Sequence, residues 1–459
     1  MKNILPLLFI LLVFGGSCAF ASSMEIHDDP IAAMLLAVIA ILVVAKLFGE
    51  ISVRCGLPSV LGELIGGILL GNLVLLNPGL GFFEPLRMTP IQGYWPIAVD
   101  SFARLGVIIL LFEVGLESTV KGMMKVGASS FIVAVLGVIA PFILGFGASW
   151  FFIKNIPIAL SRIVPAGFSL FYVHLFVGSV LCATSVGITA RVFKDLGKLQ
   201  MKEAQIILGA AVIDDVLGLI VLAVVSGIVT SAESGQPVAF GSVFRPIVMS
   251  ILFLVGTLIA GVFFVPRIMK QLARLRTSGV AMVSSLVFAF VLAYLANLAG
   301  LAPIVGAFAA GLLLEEVHFR GFQGEVQIKQ LIRPVSTLMV PIFFVFMGIQ
   351  VRLESFANPS IIGLAAGLTV AAIIGKQICG LGILEKHLDR LTIGVGMIPR
   401  GEVGLIFAGI GKNFRVIDDA AFSAIVIMVI VTTLITPPLL SLTLQRKRKK
   451  TSLNESGIE

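Results

Sequence analysis

Residues 203–231 read EAQIILGAAVIDDVLGLIVLAVVSGIVTS, an apolar run interrupted near its middle by two adjacent aspartates. The run is long enough to cross the roughly 30 Å hydrocarbon layer of a bilayer as one helix. A charged side chain at the centre of such a helix costs about 2.5–3.5 kcal/mol even on lenient insertion scales. Asp214 and Asp215 therefore indicate a functional site inside a membrane.

The composition of the whole chain agrees with a membrane location. Of its 459 residues, 58% are apolar and 13% are charged, and the mean hydropathy is +1.09. An ordinary soluble protein carries roughly a quarter charged residues, so a soluble enzyme, a disordered chain and a nucleic-acid-binding domain are excluded. The net charge of +8 does not indicate nucleic acid, because the basic residues lie in short loops between apolar runs. We expect an all-α polytopic membrane protein with neither enzymatic activity nor a bound cofactor.

The first 21 residues are typical of a secretory signal peptide. Lys2 precedes an apolar run at 4–14, which is too short to span the bilayer. Residues 19–21, Ala-Phe-Ala, form a small-residue cleavage site. We expect cleavage after residue 21, which leaves the mature N-terminus outside and residues 22–459 as the membrane protein. An uncleaved extra helix is the alternative.

Apolar runs recur to the end of the chain and predict about 13 helices. Their approximate spans are 31–49, 57–77, 97–116, 126–153, 173–194, 203–231, 244–266, 279–299, 303–316, 333–351, 359–381, 391–411 and 419–441. An odd number of crossings from an outside N-terminus puts the C-terminus inside. The basic residues agree, since they concentrate in the loops predicted to be cytoplasmic and in the short tail 442–459.

The sequence also contains an internal repeat. Residues 56–70, GLPSVLGELIGGILL, resemble residues 300–314, GLAPIVGAFAAGLLL, and a shorter match joins 112–115 with 346–348. The two longer stretches are the second and ninth predicted helices, so an odd number of crossings separates them and their orientations are opposite. Inverted repeats are typical of secondary transporters. We expect the two repeats to cover about 56–231 and 300–441.

The two aspartates cannot share one ligand, because neighbouring residues on a helix point about 100° apart. One of Asp214 and Asp215 can face a water-filled cavity while the other faces a protein partner. A carboxylate in such a cavity can hold either a proton or a small cation, but not both. This exclusion is the chemical basis of cation/proton exchange. Two aspartates in internal hydrogen bonds are the structural alternative.

Other ionisable residues also lie within the apolar runs. Lys376 lies in the eleventh run, and a buried ammonium needs a counter-ion. One of the two aspartates is the natural candidate, unless the lysine snorkels to the interface. Glu63 and Glu113 are structural hydrogen-bond partners or parts of a proton path, and the sequence favours the structural role.

Two of the predicted helices, 173–194 and 391–411, carry residues that favour a break inside the membrane. Unwound backbone is tolerated there where it lines a cavity or packs in protein, and half-helix ends then present partial charges to the cavity. The alternative to each break is that the glycines only allow close helix packing. Glu402 is expected to pair with Arg400 or with a helix end. The residues expected to line the cavity are Thr184, Ser185, Gly187, Thr189, Pro399, Arg400 and Glu402.

These motifs carry a family resemblance. The stretch ATSVGITAR at 183–191, the Asp-Asp pair, Lys376 and the stretch PRGEVGL at 399–405 resemble bacterial sodium/proton antiporters of the monovalent cation:proton antiporter-2 family. The resemblance extends over nearly all of the chain after residue 21. It implies a homodimer in the inner membrane, in which each subunit has a dimerisation domain and a mobile core domain with two crossing broken helices.

The resemblance also implies roles for the buried charges. Asp215 would bind the transported cation or proton, and Asp214 would pair with Lys376. Members with two adjacent aspartates usually move net charge. Na⁺ or Li⁺ is the expected cation, while K⁺/H⁺ antiport and a passive cation channel stay open as alternatives. An intramembrane aspartyl protease does not fit, since its two aspartates must lie on different helices to flank one scissile bond.

Overall fold

The structure is a computed structural model of the chain, and the residues that it describes are all in helices, turns or irregular segments. It describes residues 30–75, 77–87, 91–117, 126–154, 169–234, 240–275, 277, 279–299, 301–314, 327–351, 353–354, 359–385, 387–413 and 416–455. Among these residues there is no β-strand, so the predicted all-α fold is confirmed. The predicted signal peptide, 1–21, lies outside the described residues.

The helices of seven residues or more are labelled in chain order. They are α1 Pro30–Arg54, α2 Ser59–Gly71, α3 Tyr94–Glu117, α4 Gly127–Phe152, α5 Leu170–Val180, α6 Val186–Asp195, α7 Lys202–Ser234, α8 Phe240–Leu272, α9 Val280–Leu298, α10 Pro303–Leu313, α11 Ile328–Ile349, α12 Pro359–Ile378, α13 Arg390–Gly396, α14 Glu402–Asn413 and α15 Asp419–Glu455. A short 3₁₀ segment, Cys379–Gly382, directly follows α12.

Within the described part of the chain, seven helices are long and apolar enough to cross a membrane. They belong to α1, α4, α7, α9, α11, α12 and α15. Helix α8 adds an eighth if its two parts, Ile251–Gly261 and Phe263–Leu272, which meet at 51°, form one span. The protein is therefore a multi-pass membrane protein, and the number of about 13 crossings stays a prediction.

The predicted span 57–77 was too long, whereas 303–316 agrees with the observed helix to within a few residues. Their counterparts, α2 and α10, have 13 and 11 residues. At about 1.5 Å per residue, both helices are too short to span a bilayer alone. In α2 the cause is Asn72, whose side-chain amide donates to the carbonyl oxygens of Ile68 and Val351, both at 2.8 Å. This side chain caps the end of α2 and ties it to the chain that follows α11.

The predicted end of the last helix, at 441, was also wrong. Helix α15 continues to Glu455 and includes the basic residues of the tail. Leu, Gln, Arg and Lys follow the apolar run, and all four are good helix formers. The apolar run ends before the residues that favour a helix do. A helix end predicted from hydrophobicity alone is therefore too early in the sequence.

The chain divides into two compact units. Unit 1 contains the residues up to Leu110 together with Arg333–Glu354, and unit 2 contains Leu111–Ile332 and the chain from Ser355 onward. Unit 1 thus holds α1, α2, most of α3 and most of α11. Unit 2 holds the end of α3, helices α4 to α10 and helices α12 to α15.

Glycines in unit 1 allow α2 to approach its neighbours at backbone distance. A Cβ added to Gly62 would lie 2.0 Å from the carbonyl oxygen of Phe48 in α1. A Cβ added to Gly67 would lie 2.1 Å from the carbonyl oxygen of Val345 in α11. No side chain fits at such distances, so glycine is required at both positions.

Unit 2 contains the same packing at the matching residues of the repeat. A Cβ on Gly306 of α10 would lie 2.1 Å from the carbonyl oxygen of Leu292 in α9. A Cβ on Gly311 would lie 2.1 Å from the carbonyl oxygen of Phe112 in α3. The glycines shared by residues 56–70 and 300–314 therefore serve equivalent helix contacts, one set inside each unit.

We expect Gly67→Ala to destabilise the protein by about 1–3 kcal/mol, the usual cost of overpacking. The added methyl group would meet the backbone of α11, which cannot rotate away as a side chain can. The measurement is thermal unfolding of the purified protein in detergent. The control is Gly256→Ala in α8, because a Cβ at that position meets nothing within 4 Å. Equal stability of the two variants would contradict this account of the packing.

Candidate functional site

A buried ion pair lies inside unit 2. Lys376 Nζ of α12 lies 3.2 Å from Oδ2 and 3.3 Å from Oδ1 of Asp214 in α7. Both side chains are completely buried. The ammonium also donates to the carbonyl oxygen of Cys182, at 3.1 Å. Such burial excludes the alternative in which Lys376 snorkels to the interface.

The second aspartate faces different surroundings. Asp215 borders a small cavity whose other lining residues are apolar: Leu111, Val186, Leu208, Val212, Ile304, Val305 and Phe308. Its neighbour Asp214 faces Lys376 instead, as expected for adjacent positions on one helix. Asp215 is thus the lining side chain that can carry a negative charge.

Two interrupted helices meet beside the ion pair. The chain unwinds between α5 and α6 and again between α13 and α14. The backbone N–H of Ser185 donates to the carbonyl oxygen of Pro399 at 2.8 Å. The Thr189 hydroxyl donates to the carbonyl oxygen of Gly396 at 2.7 Å. These bonds satisfy polar groups that lose their helical partners, as buried backbone in a membrane requires.

The local sequence explains where the two helices break. Pro399 has no N–H to donate, and its ring disfavours the helical conformation at Ile398. Ser185 has extended backbone angles, φ −90° and ψ 104°, at the position before α6. Gly187 and Thr189, which were expected to line a cavity at a helix break, lie in the first turn of α6 and are not among the residues that line the cavity of Asp215. The unwound residues are those before Val186, and they include the buried Thr184.

Arg400 compensates the end of a half-helix. Its fully buried guanidinium donates through Nη1 to the carbonyl oxygens of Met397 and Ile398, both at 3.2 Å. These carbonyls follow the last residue of α13, where helix geometry accumulates negative partial charge that favours a cation. The predicted partner, Glu402, is the first residue of α14, and its side chain lies outside the described part of the chain.

The structure also gives a partner to Glu113, for which the sequence favoured a structural role without indicating the partner. Glu113, near the end of α3, forms an ion pair with Lys194 in the last turn of α6. The Glu113 side chain is 4% exposed and that of Lys194 is 20% exposed. The sequence carried no signal for this pair, because the two residues belong to separate helices. Glu63 is buried in α2 of unit 1, and its role stays a prediction.

We expect Glu113→Lys to destabilise the protein and the added change Lys194→Glu to restore part of the loss. The cost should lie between the ~1 kcal/mol of an exposed pair and the ~3–5 kcal/mol of breaking a fully buried one. Thermal unfolding of the two single variants and the double variant measures the coupling. Additive losses in the double variant would show that the ion pair contributes nothing.

The fold and the site together define a class of protein. An all-helical membrane protein with two interrupted helices that meet beside buried charges has the architecture of a secondary transporter. Residues 34–446 match the family described as "Sodium/hydrogen exchanger, transmembrane". The chain belongs to this family of transporters, which confirms its resemblance to sodium/proton antiporters.

Named relatives and a solved structure agree with this assignment. The "High-affinity Na(+)/H(+) antiporter NhaS3" of a Synechocystis strain is 38% identical, over 94% of either chain. The "Na(+)/H(+)-K(+) antiporter GerN" of Bacillus cereus is 34% identical, over 89% of this chain and 96% of its own. The sodium proton antiporter MjNhaP1 from Methanocaldococcus jannaschii at pH 8 shares the fold. Its TM-score is 0.60 at 15% identity, over 91% of this chain and 98% of that one.

Proposed function

We propose that the protein is a secondary active antiporter that exchanges a monovalent cation, Na⁺ or Li⁺, for protons by alternating access. The observation that carries this proposal is that the two aspartates have different surroundings. Asp214 is held by Lys376, whereas Asp215 borders a cavity with no other charged lining residue. The names of the relatives NhaS3 and GerN support the cation/proton class.

Asp215 is the site at which the cation and the proton compete. A protonated carboxylic acid is neutral and holds a cation poorly, whereas a carboxylate attracts it. The cavity walls are otherwise apolar, so a cation there depends on this one charge. Each direction of transport therefore carries either the cation or the proton on Asp215, and never both together.

Lys376 supplies a second proton-carrying group. The carboxylate of Asp214 stabilises its ammonium. Both side chains are buried away from water, so either charge would be costly without the other. If Lys376 releases its proton when the cation binds, two protons are exchanged for one monovalent cation. The cycle then moves one net charge, and the antiporter is electrogenic.

The packing of the glycines supports an alternating-access mechanism. Equivalent contacts in α2 and α10 fit two inverted repeats, at about 56–231 and 300–441. We further propose a homodimer in the inner membrane, with the mature N-terminus outside. The bias of basic residues toward one set of loops supports a cytoplasmic C-terminus.

K⁺/H⁺ antiport is the second candidate function. GerN is named for both Na⁺/H⁺ and K⁺, and it matches most of this chain. Na⁺, Li⁺ and K⁺ all take oxygen ligands, so the carboxylate of Asp215 does not by itself select among them. Size and hydration of the cavity decide the preference, which transport with each ion in turn would reveal.

We expect Asp215→Asn to abolish exchange, since an amide can neither bind a proton at this site nor attract a cation by charge. The measurement is cation-driven proton efflux from proteoliposomes with Na⁺, Li⁺ and K⁺ added separately, together with transport current on a supported membrane. The control is Asp100→Asn, which makes the same chemical change at a partly exposed ion pair with Arg104 in α3.

Three outcomes would contradict the proposal. Near-normal exchange in the folded Asp215→Asn protein would remove the assignment of the site. Cation flux without counter-transported protons would favour a passive channel. Exchange by the parent protein without any current would exclude the electrogenic cycle.

A further inference from the structure

We propose that Gly137 is a positioning residue for Lys376: the missing side chain on α4 determines where the ammonium lies. The inference rests on the proposed function, in which Lys376 carries a proton. Nothing in the sequence marked this residue, since a glycine within an apolar run is commonly a matter of helix packing. The structure places it against the buried charges.

The space beside Gly137 is occupied by the charged site itself. A Cβ added to Gly137 would lie 3.0 Å from Cys379 Sγ and 3.2 Å from Lys376 Nζ. It would lie 3.7 Å from Asp214 Oδ1, which is an ordinary contact distance. An alanine at this position therefore crowds the thiol and the ammonium but leaves the carboxylate in place.

The backbone around the thiol cannot retreat from an added methyl group. The 3₁₀ segment Cys379–Gly382 follows α12 and is closely packed on its other sides. A Cβ on Gly380 would lie 2.5 Å from the carbonyl oxygen of Arg390, and one on Gly382 would lie 3.0 Å from the backbone nitrogen of Val133. The position of this segment is therefore fixed by backbone contacts.

Helices α4 and α12 cannot move apart easily either. One turn along α4 from Gly137, the backbone of Pro141 contacts Gly375, where an added Cβ would lie 2.7 Å from Pro141 Cα. Besides the Cys379 thiol, the group near Gly137 that can shift without moving backbone is thus the end of the Lys376 side chain. A methyl group would push the ammonium and change its distances to Asp214 and to the carbonyl oxygen of Cys182, which are now 3.1–3.3 Å.

The displacement should affect proton transfer through Lys376 more than cation binding at Asp215. Gly137 is not among the residues that line the cavity of Asp215, so cation binding there should change little. Proton transfer through Lys376 depends on the geometry of its contacts, because a displacement of ~1 Å can cost on the order of 10²-fold in the rate of a positioned reaction. Gly137→Ala should therefore lower turnover and the charge moved per cycle more than it changes apparent cation affinity.

The experiment compares Gly137→Ala with Gly147→Ala and Lys376→Ala in proteoliposomes. Gly147 lies in the same helix, and a Cβ there meets nothing within 4 Å, so that variant controls for the change of glycine to alanine. We expect turnover to fall at least about tenfold in Gly137→Ala. The ratio of current to proton flux should shift toward that of Lys376→Ala, with apparent Na⁺ affinity near that of the parent. Behaviour equal to that of Gly147→Ala would overturn the inference.

A double variant distinguishes crowding of the ammonium from crowding of the thiol. Gly137→Ala with Cys379→Ala removes the contact with sulfur and leaves the methyl group against the ammonium. We expect the current-to-flux ratio to stay low in this double variant. Full restoration would overturn the inference, because the effect would then come from crowding of the thiol alone.

Stability provides a test that does not depend on transport. The loss of thermal stability caused by Gly137→Ala should be smaller in the Lys376→Ala background, where the ammonium is gone. An equal loss in both backgrounds would overturn the inference, even if Gly137→Ala alone is too unstable to transport. If Lys376→Ala itself leaves the current-to-flux ratio unchanged, the proton-carrying role of the lysine fails instead, and the stability cycle still decides the role of Gly137.

Discussion

The cost of a charge in a low-dielectric interior governs this structure. Lys376 and Asp214 are completely buried, and each would be prohibitively unstable as an ion without the other. Their pairing leaves Asp215 as the carboxylate that borders the cavity. The same helix therefore supplies one aspartate for an internal ion pair and one that borders the cavity, because adjacent residues point in different directions.

The two interrupted helices bring polar backbone groups together beside the pair. Breaks before Val186 and after Gly396 free carbonyl and amide groups, which then bond across the two interruptions or to Arg400. Glycine contacts hold the surrounding helices at backbone distance, so the position of each charged group depends on close packing rather than on loops. In unit 2, the geometry of the charged site therefore depends on close helix packing.

The features that could be predicted from the sequence are those with a high free-energy cost in a membrane. Asp214 and Lys376 were detectable because ionisable residues rarely occur in apolar runs, and the helix breaks were detectable from proline and small polar residues. Apart from the pairing of Lys376 with an aspartate, contacts between distant segments gave no such signal. The pairing of Glu113 with Lys194 and the role of Gly137 depend on which helices lie side by side, and Gly137 has no functional group to draw attention. The early end of α2 likewise depends on a tertiary hydrogen bond from Asn72.

The central claim is that one carboxylate holds either the cation or a proton. Proton release on cation binding tests it most directly, with purified protein in weakly buffered detergent solution and Na⁺ added from a pH-matched stock. We expect release of about two protons for each Na⁺ bound, one from Asp215, since the ligand must be deprotonated, and one from Lys376. We expect no such release from Asp215→Asn. Saturable Na⁺ binding by the parent protein without proton release would contradict the account.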